Sequence, residues 1–320
     1  MNSLKTYLPY LFGNKKNQHY KLPLSIDWGS LSFEERLMFH ALSGSTDHFV
    51  SKLNFEKLSI SDQFHLFNFI HFVSTNLQDQ IKNYWPNEWS LYAKARLPNS
   101  VPEDRVQKII DFNSNQLSVF ALMNVERNIP GNIFIKKSNG EFLKDNNKNI
   151  WTKKVLGLSS RGLPFCHSNG STPTGVYKIN SVMPEANFEY EFGKNRRLKI
   201  HFLSEQELNE TFPAEFLTWH WWQEGIVALH LGRSLFRIHG SGRINKNPLS
   251  SYFPLVPSSG CLTMSERDFG GLYAIDDQRE LLNALLESLG LEKSFTNELK
   301  IHGLLYVINF DGSFQGLEFK

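Results

Sequence analysis

The sequence predicts an α+β chain, with a mainly helical N-terminal region and a β-rich remainder. Three observations carry that expectation. Apolar residues recur at three- and four-residue steps through the early part of the chain. The stretch "LPNSVPED", Leu97 to Asp104, then reads as a Pro/Asn/Ser linker. Beyond it come short apolar runs bounded by Gly, Asn and Pro, the pattern of strands and turns. The expected division is 1–105, helical and without an assigned role, and 106–320, β-rich. A chain of 320 residues is long enough for about two domains.

The first predicted helix follows Ser32 and Glu35, an S-x-x-E capping box, with Phe33, Leu37 and Leu42 on roughly one face. The second opens at Ser61-Asp62, repeats Phe64, Phe67, Ile70, Val73, Leu77 and Ile81, and ends at Pro86. His65 and His71 lie six apart on it, which is not the i, i+4 spacing of a helical metal pair. In the second part, "KIIDFNSNQLSVFALM" reads as two strands around Asn113-Ser114-Asn115. Further strands are expected at Ile133–Lys136, Val155–Leu158, Val176–Asn180, Leu198–Phe202, Ile226–His230, Leu235–His239 and Leu304–Asn309. Gly232-Arg233 reads as a tight hairpin turn between two of them. "DQRELLNALLESLG" reads as a helix with Leu281, Leu285 and Leu289 on one stripe and Gly290 at its end.

Composition narrows the function classes. Hydrophobic content of 41% and charged content of 21% fit a globular protein. A formal net charge of +2 gives no electrostatic case for nucleic acid or a membrane surface. The apolar runs fall well short of the ~20 residues of a spanning helix. Near the start, Pro9 interrupts a short apolar patch and Lys15 and Lys16 follow it, so no secretory signal is legible. Two cysteines exclude a disulfide framework and a four-thiolate zinc site, and no cofactor or metal is expected. Cys166 and Cys261 can pair with each other or stay reduced.

The segments that suggest chemistry are "FRIHGSG", Phe236 to Gly242, and "SSGCLTM", Ser258 to Met264. A cysteine nucleophile needs an imidazole to take its proton and N–H donors for the oxyanion. Cys261 follows Ser258-Ser259-Gly260, a stretch with little side-chain bulk. His239 ends a predicted strand just before Gly240-Ser241-Gly242. The two residues are 22 positions apart, enough for the chain to loop out and return. Arg237 shares the strand face of His239 by the period-two rule and is a candidate for a substrate carboxylate. "WHWWQEG", Trp219 to Gly225, offers a stacking wall or simple packing near a hairpin. "GKNRRLK", Gly193 to Lys199, reads as a solvated hairpin face. Cys166 and His167 are sequence neighbours, which point to opposite faces on a strand.

"IHGSG…SSGCLTM" resembles the signature of L,D-transpeptidase catalytic domains, the YkuD-like family: a His-Gly pair, a loop, then Ser/Thr-His-Gly-Cys and an apolar residue. "STPTGVYKI", Ser171 to Ile179, is similar to the Thr-Pro-Thr-Gly stretch that precedes a strand in those domains. The resemblance spans roughly residues 106–310. Two positions depart from it: Ser259 stands where the family has His, and Thr263 where it has Arg or Asn.

The resemblance implies a β-sandwich-like catalytic domain and a cysteine acyltransferase acting on peptidoglycan stem peptides. Cys261 would form a thioester, and His239 would hold the thiolate as an ion pair. The carbonyl of Gly240 would orient the imidazole. The N–H groups of Gly260 and Cys261 would form the oxyanion hole. Ser259, Arg237, Tyr252 and Trp221 would line the substrate site, with Tyr252 or Trp221 filling the space that Ser259 leaves. The implied partners are stem peptides and, as a second acceptor, a wall-attached protein. The implied location is the cell envelope or periplasm; a cytoplasmic amide-acting enzyme is the alternative. Hydrolysis of the thioester, as a carboxypeptidase or endopeptidase, and an inert wall-binding module are the rival readings.

Overall fold

The computed structural model describes residues 100–163, 165, 169–230, 232–268 and 274–319. The chain divides into two units, Met1–Ala93 and Lys94–Lys320. The expected helices around Ser32–Leu42 and Phe64–Ile81, with His65 and His71, lie outside the described residues, as do Cys166 and His167.

The described part is α+β and centres on one mixed eight-stranded sheet. Its strands are β1 (Ser118–Met123), β2 (Gly131–Lys136), β3 (Thr152–Val155), β4 (Gly175–Val182), β5 (Leu198–Phe202), β6 (Leu235–His239), β7 (Leu262–Thr263) and β10 (His302–Asn309), in the order β3-β2-β1-β10-β4-β5-β6-β7. The β1–β10 and β6–β7 pairs are parallel and the others antiparallel. A small hairpin, β8 (Glu266–Asp268) with β9 (Ala274–Asp276), stands apart.

The sheet curls until its two edges almost meet. Leu156, one residue past β3, bridges Thr263 of β7: each donates its N–H to the other's carbonyl, at 2.9 and 2.8 Å. The fold is therefore a nearly closed barrel-like sheet rather than the expected sandwich. Closure has a physical gain, since an edge strand otherwise presents unpaired backbone groups. Val155–Leu158 was expected to continue as strand, but it leaves the ladder at Val155 to make this bridge.

Inside, Val119, Ile133, Ile179, Leu198, Ile238 and Leu305 pack with Leu281, Leu282 and Leu285 of a helix, Asp277–Ser288. Its cap is Asp276, whose side chain accepts from the Arg279 N–H, and Gly290 follows its end at φ +67°. On the other face Phe120 stacks on Phe134 and Tyr306, with ring centroids 5.1 and 4.6 Å apart. Nearly every residue of β10 is buried, so this central strand is apolar throughout rather than alternating.

Three sequence expectations are corrected. Residues 103–111 form a helix, α1, rather than the first arm of a strand pair. Val106, Ile109 and Ile110 share its buried face, Glu103 and Asp104 occupy its first turn, and Lys136 donates to the carbonyls of Ile110 (2.8 Å) and Asp111 (2.9 Å) at its end. Ile226–His230 belongs to a helix, Gln223–His230, not a strand. Ile226, Val227 and Ala228 are all buried, and such short apolar runs are ambiguous between the two states. Gly232-Arg233 is accordingly the end of that helix and not a hairpin. Gly232 takes φ +88°, and the Arg233 N–H closes back on the Ala228 carbonyl at 2.9 Å, a glycine helix stop. Among the described residues no helix is long and apolar enough to cross a membrane.

Candidate active site

Three neighbouring strands build the site. Leu198 of β5, Ile238 of β6 and Leu262 of β7 lie side by side and point into the core. The alternate residues face the other way: Lys199 beside Arg237, and His239 beside Thr263. One step further along the β5–β6 register puts Arg197 beside His239; Cys261, just before β7, meets the main-chain N–H and side chain of Arg237 and belongs to the buried core cluster with Leu262 and Met264. The Met264 N–H donates to the His239 carbonyl at 2.9 Å and locks β7 on β6. Cys261 lies just before β7, and among the described residues no hydrogen bond joins it to His239, whose Nε2 has no partner.

The Cys261 loop is tied to the other family-like stretch. Thr172 Oγ1 donates to the Gly260 carbonyl at 3.2 Å, and Ser258 Oγ to the Cys261 carbonyl at 2.7 Å. Arg233 reaches the carbonyls of Ser171 (3.1 Å) and Gly260 (3.5 Å). Gly260 has φ +101°, and a Cβ there would lie 2.6 Å from the Gly170 carbonyl. Both facts require glycine before the cysteine. The strand ladder begins at Leu262, so the Gly260 and Cys261 amides lie outside it. Cys261 is a free thiol.

His239 is 1% exposed. Its Nδ1–H donates to the Gly240 carbonyl in a short hydrogen bond. That bond assigns the proton to Nδ1 and leaves the lone pair on Nε2, which is buried and has no hydrogen-bond partner. Burial, with help from Arg197, Arg237 and Arg243, lowers the imidazole pKa to about 4. Cys261 is 8% exposed, and burial pushes its thiol up, opposed by the main-chain N–H and guanidinium of Arg237 and by the charge of Arg233. Removal from water thus disfavours the charged form of each group, which weighs against the thiolate–imidazolium ion pair that the resemblance implies.

A short helix, Glu189–Phe192, roofs this face. The Phe192 ring meets His239 edge to face at 4.9 Å, and the guanidiniums of Arg197 and Arg237 lie 4.4 and 5.9 Å from its centroid. Gly242 donates its N–H to the Glu189 carbonyl and anchors the helix to the turn after β6. Beside the site a shallow open depression is lined by Ser241, Arg243, Leu255, Met264 and Arg267.

The other expected site residues fall as follows. Ser259 is exposed, next to Cys261. Tyr252 is half-buried, and Trp221 is buried with no partner for its indole N–H. Among the described residues no hydrogen bond or ring contact joins either to Cys261, so neither is shown filling the space beside Ser259. "WHWWQEG" leads into the helix Gln223–His230 instead of flanking a hairpin. "GKNRRLK" is not a solvated hairpin face: Asn195 bonds Glu266 and Asp276, Arg196 faces Glu298, and Arg197 is 4% exposed. Sequence reasoning missed Arg197, Arg243 and Phe192. The adjacent arginines were visible, but the β5–β6 register that puts one of them beside His239 was not.

No protein-family model, curated protein or solved structure matches this chain.

The buried neutral histidine makes a prediction for stability. Its folded pKa of about 4 lies below the ordinary 6.5, so between these values the unfolded chain binds more protons and stability rises with pH. Going from pH 7.5 to 4.5 should cost roughly 2–3 kcal/mol through this group alone. Denaturant unfolding at both pH values should show that difference between wild type and His239→Gln. Equal pH dependence of the two proteins would mean that His239 is not buried neutral.

Proposed function

We propose that this chain is a cysteine-dependent L,D-transpeptidase of the cell envelope, acting on peptidoglycan stem peptides, and that its barrel-like sheet is a variant of the L,D-transpeptidase domain. The sequence support is the order Ser171–Ile179, His239-Gly240, Gly260-Cys261. The observation that supports the reading is His239: Nδ1–H is held on the Gly240 carbonyl, and Nε2 is left buried without a partner on the strand next to β7, which Cys261 precedes.

The chemistry follows from that arrangement. Substrate entry displaces the Phe192 roof and brings a peptide carbonyl to Cys261. The thiol passes its proton to His239 Nε2 while sulfur bonds to the carbonyl carbon. The amides of Gly260 and Cys261, outside the ladder, are the donors for the oxyanion. The C–N bond then breaks, and the leaving amine takes the proton from His239. An imidazolium in surroundings that lower its pKa to about 4 is a strong acid, which favours this step. An acceptor amine, losing its proton to His239, attacks the thioester and frees the thiolate, which takes that proton back. Water in place of the amine gives hydrolysis through the same intermediate.

The test is incubation with purified muropeptides followed by mass spectrometry. New cross-links support transpeptidation and trimmed peptides support the hydrolase. Unchanged muropeptides with a folded protein support an inert wall-binding module, a reading favoured by the burial of Cys261 in the resting state.

Ser259 gives a second prediction. Its side chain is exposed, and its hydroxyl is not an oxyanion donor. Ser259→Ala should keep activity within about twofold, the usual reach of a surface change of ±0.5 kcal/mol. Ser259→His narrows the space beside Cys261, so it should alter the ratio of products more than the acylation rate. A large change in acylation with a constant product ratio would contradict this role.

A further inference from the structure

We infer that Thr172, backed by Arg233, is a positioning residue for the oxyanion donor at Cys261: by holding the Gly260 carbonyl it turns the Cys261 N–H outward, toward the oxygen on which charge gathers. The inference rests on the reading of Cys261 as the acylated nucleophile and is independent of which acyl donor it meets.

The chain around Cys261 releases its N–H from the sheet. Leu156 and Thr263 exchange both main-chain bonds where the barrel closes. One bonded pair further along that antiparallel contact, the Cys261 N–H would donate to the Leu158 carbonyl. The Ser258 N–H takes that carbonyl instead, at 3.1 Å. Among the described residues no main-chain acceptor takes up the Cys261 N–H. Ser258 Oγ donates to the Cys261 carbonyl at 2.7 Å and closes the Ser258–Cys261 turn on itself.

The direction of the freed N–H is set by its peptide unit. The bond from Gly260 to Cys261 is trans, so the Gly260 carbonyl and the Cys261 N–H point in opposite directions. That carbonyl accepts from Thr172 Oγ1 at 3.2 Å and, weakly, from Arg233 at 3.5 Å, one donor for each lone pair. The Cys261 N–H is therefore aimed away from Thr172.

Thr172 is itself fixed. It is 1% exposed and belongs to no strand, so its segment needs other partners for its main chain. The Thr172 N–H donates to the Gly157 carbonyl at 2.9 Å, and the Thr172 carbonyl accepts from Arg127 Nε at 3.3 Å. The Tyr177 hydroxyl is shared between the Pro173 and Thr174 carbonyls, at 2.8 and 3.1 Å. The Thr174 N–H donates to the Glu224 carboxylate at 2.7 Å, and Arg233 holds the Ser171 carbonyl at 3.1 Å. A hydroxyl on so fixed a support holds its partner in one orientation.

Two reagents separate aiming the donor from placing the thiol. With p-nitrophenyl acetate, sulfur bonds to the acetyl carbon through an oxyanion, the thiol proton passes to His239, and p-nitrophenolate leaves. With iodoacetamide, sulfur displaces iodide at a saturated carbon and no oxyanion forms. Removing an oxyanion donor costs about 10²–10³-fold, so misaiming one in Thr172→Val should slow acetylation of Cys261 about tenfold. Its iodoacetamide rate should stay within about twofold of wild type, with unchanged Tm. Thr172→Ser keeps the hydroxyl and should restore acetylation. Arg233→Lys keeps the cation but loses the fork, and should show a smaller selective loss of about threefold. Acetylation of Thr172→Val at the wild-type rate, equal slowing of both reactions, or loss in Thr172→Ser as large as in Thr172→Val would each overturn the inference and leave the nucleophile reading in place. Wild-type Cys261 that iodoacetamide labels but p-nitrophenyl acetate never acetylates would remove both. A selective loss in Thr172→Val beside a wild type that leaves muropeptides unchanged would keep the inference and remove the transpeptidase reading.

Discussion

With Cys261 as the proposed nucleophile, Cys261→Ala should abolish acyl transfer, and Cys261→Ser should reduce it to background. The sulfur is the only atom in the site able to form the thioester, and nothing else on the β5–β6–β7 face is a nucleophile of comparable strength. Serine keeps the shape but not the chemistry, because its hydroxyl must lose a far less acidic proton to an imidazole whose pKa is about 4. The loss should be at least about 10³-fold in kcat/KM for both variants, with Tm little changed since cysteine and serine are close in volume. Product formation measured by chromatography of muropeptides gives the rate. Activity surviving in Cys261→Ala would place the reaction elsewhere in the chain.

His239→Ala is expected to cost about 10²- to 10⁴-fold, the range for removing a positioned general base. The pH profile separates a catalytic role from a merely structural one. With Nε2 free and the imidazole pKa near 4, the wild-type rate should be flat from about pH 5.5 to 8 and fall tenfold per unit below about pH 4. A thiolate–imidazolium pair would instead give a bell within that range. His239→Ala should lose the acidic limb and gain rate with rising pH as Cys261 ionises without help. A profile for His239→Ala parallel to wild type would mean that the histidine only supports the fold.

The strands that carry the candidate residues were more legible in the sequence than their surroundings. Leu235–His239 and Leu198–Phe202 are strands with the expected bounds, because apolar residues alternate cleanly there and one face is core. The pairing of these two strands was not legible, and that register gives His239 its arginine neighbour. The helix at Glu103–Asp111 was misread although Val106, Ile109 and Ile110 stand at three- and four-residue spacing; the Pro-rich stretch before it was read as linker alone, when Pro102 in fact supplies the helix start. Ile226–His230 was misread because three consecutive buried residues, Ile226 to Ala228, show no periodicity that separates helix from strand. The barrel-like closure depends on a bridge between Leu156 and Thr263, more than a hundred residues apart, and no local pattern encodes it. The charge state of the Cys261–His239 pair was also out of reach, since it follows from desolvation in the assembled sheet.

The central claim is that Cys261 carries an acyl group, and the direct measurement is the mass of the protein after exposure to a disaccharide-tetrapeptide without acceptor. Acylation should give a covalent adduct that maps to the peptide containing Cys261, is released by hydroxylamine, and is absent from Cys261→Ala. An unmodified protein that remains folded, or an adduct that maps to any other residue, would contradict it.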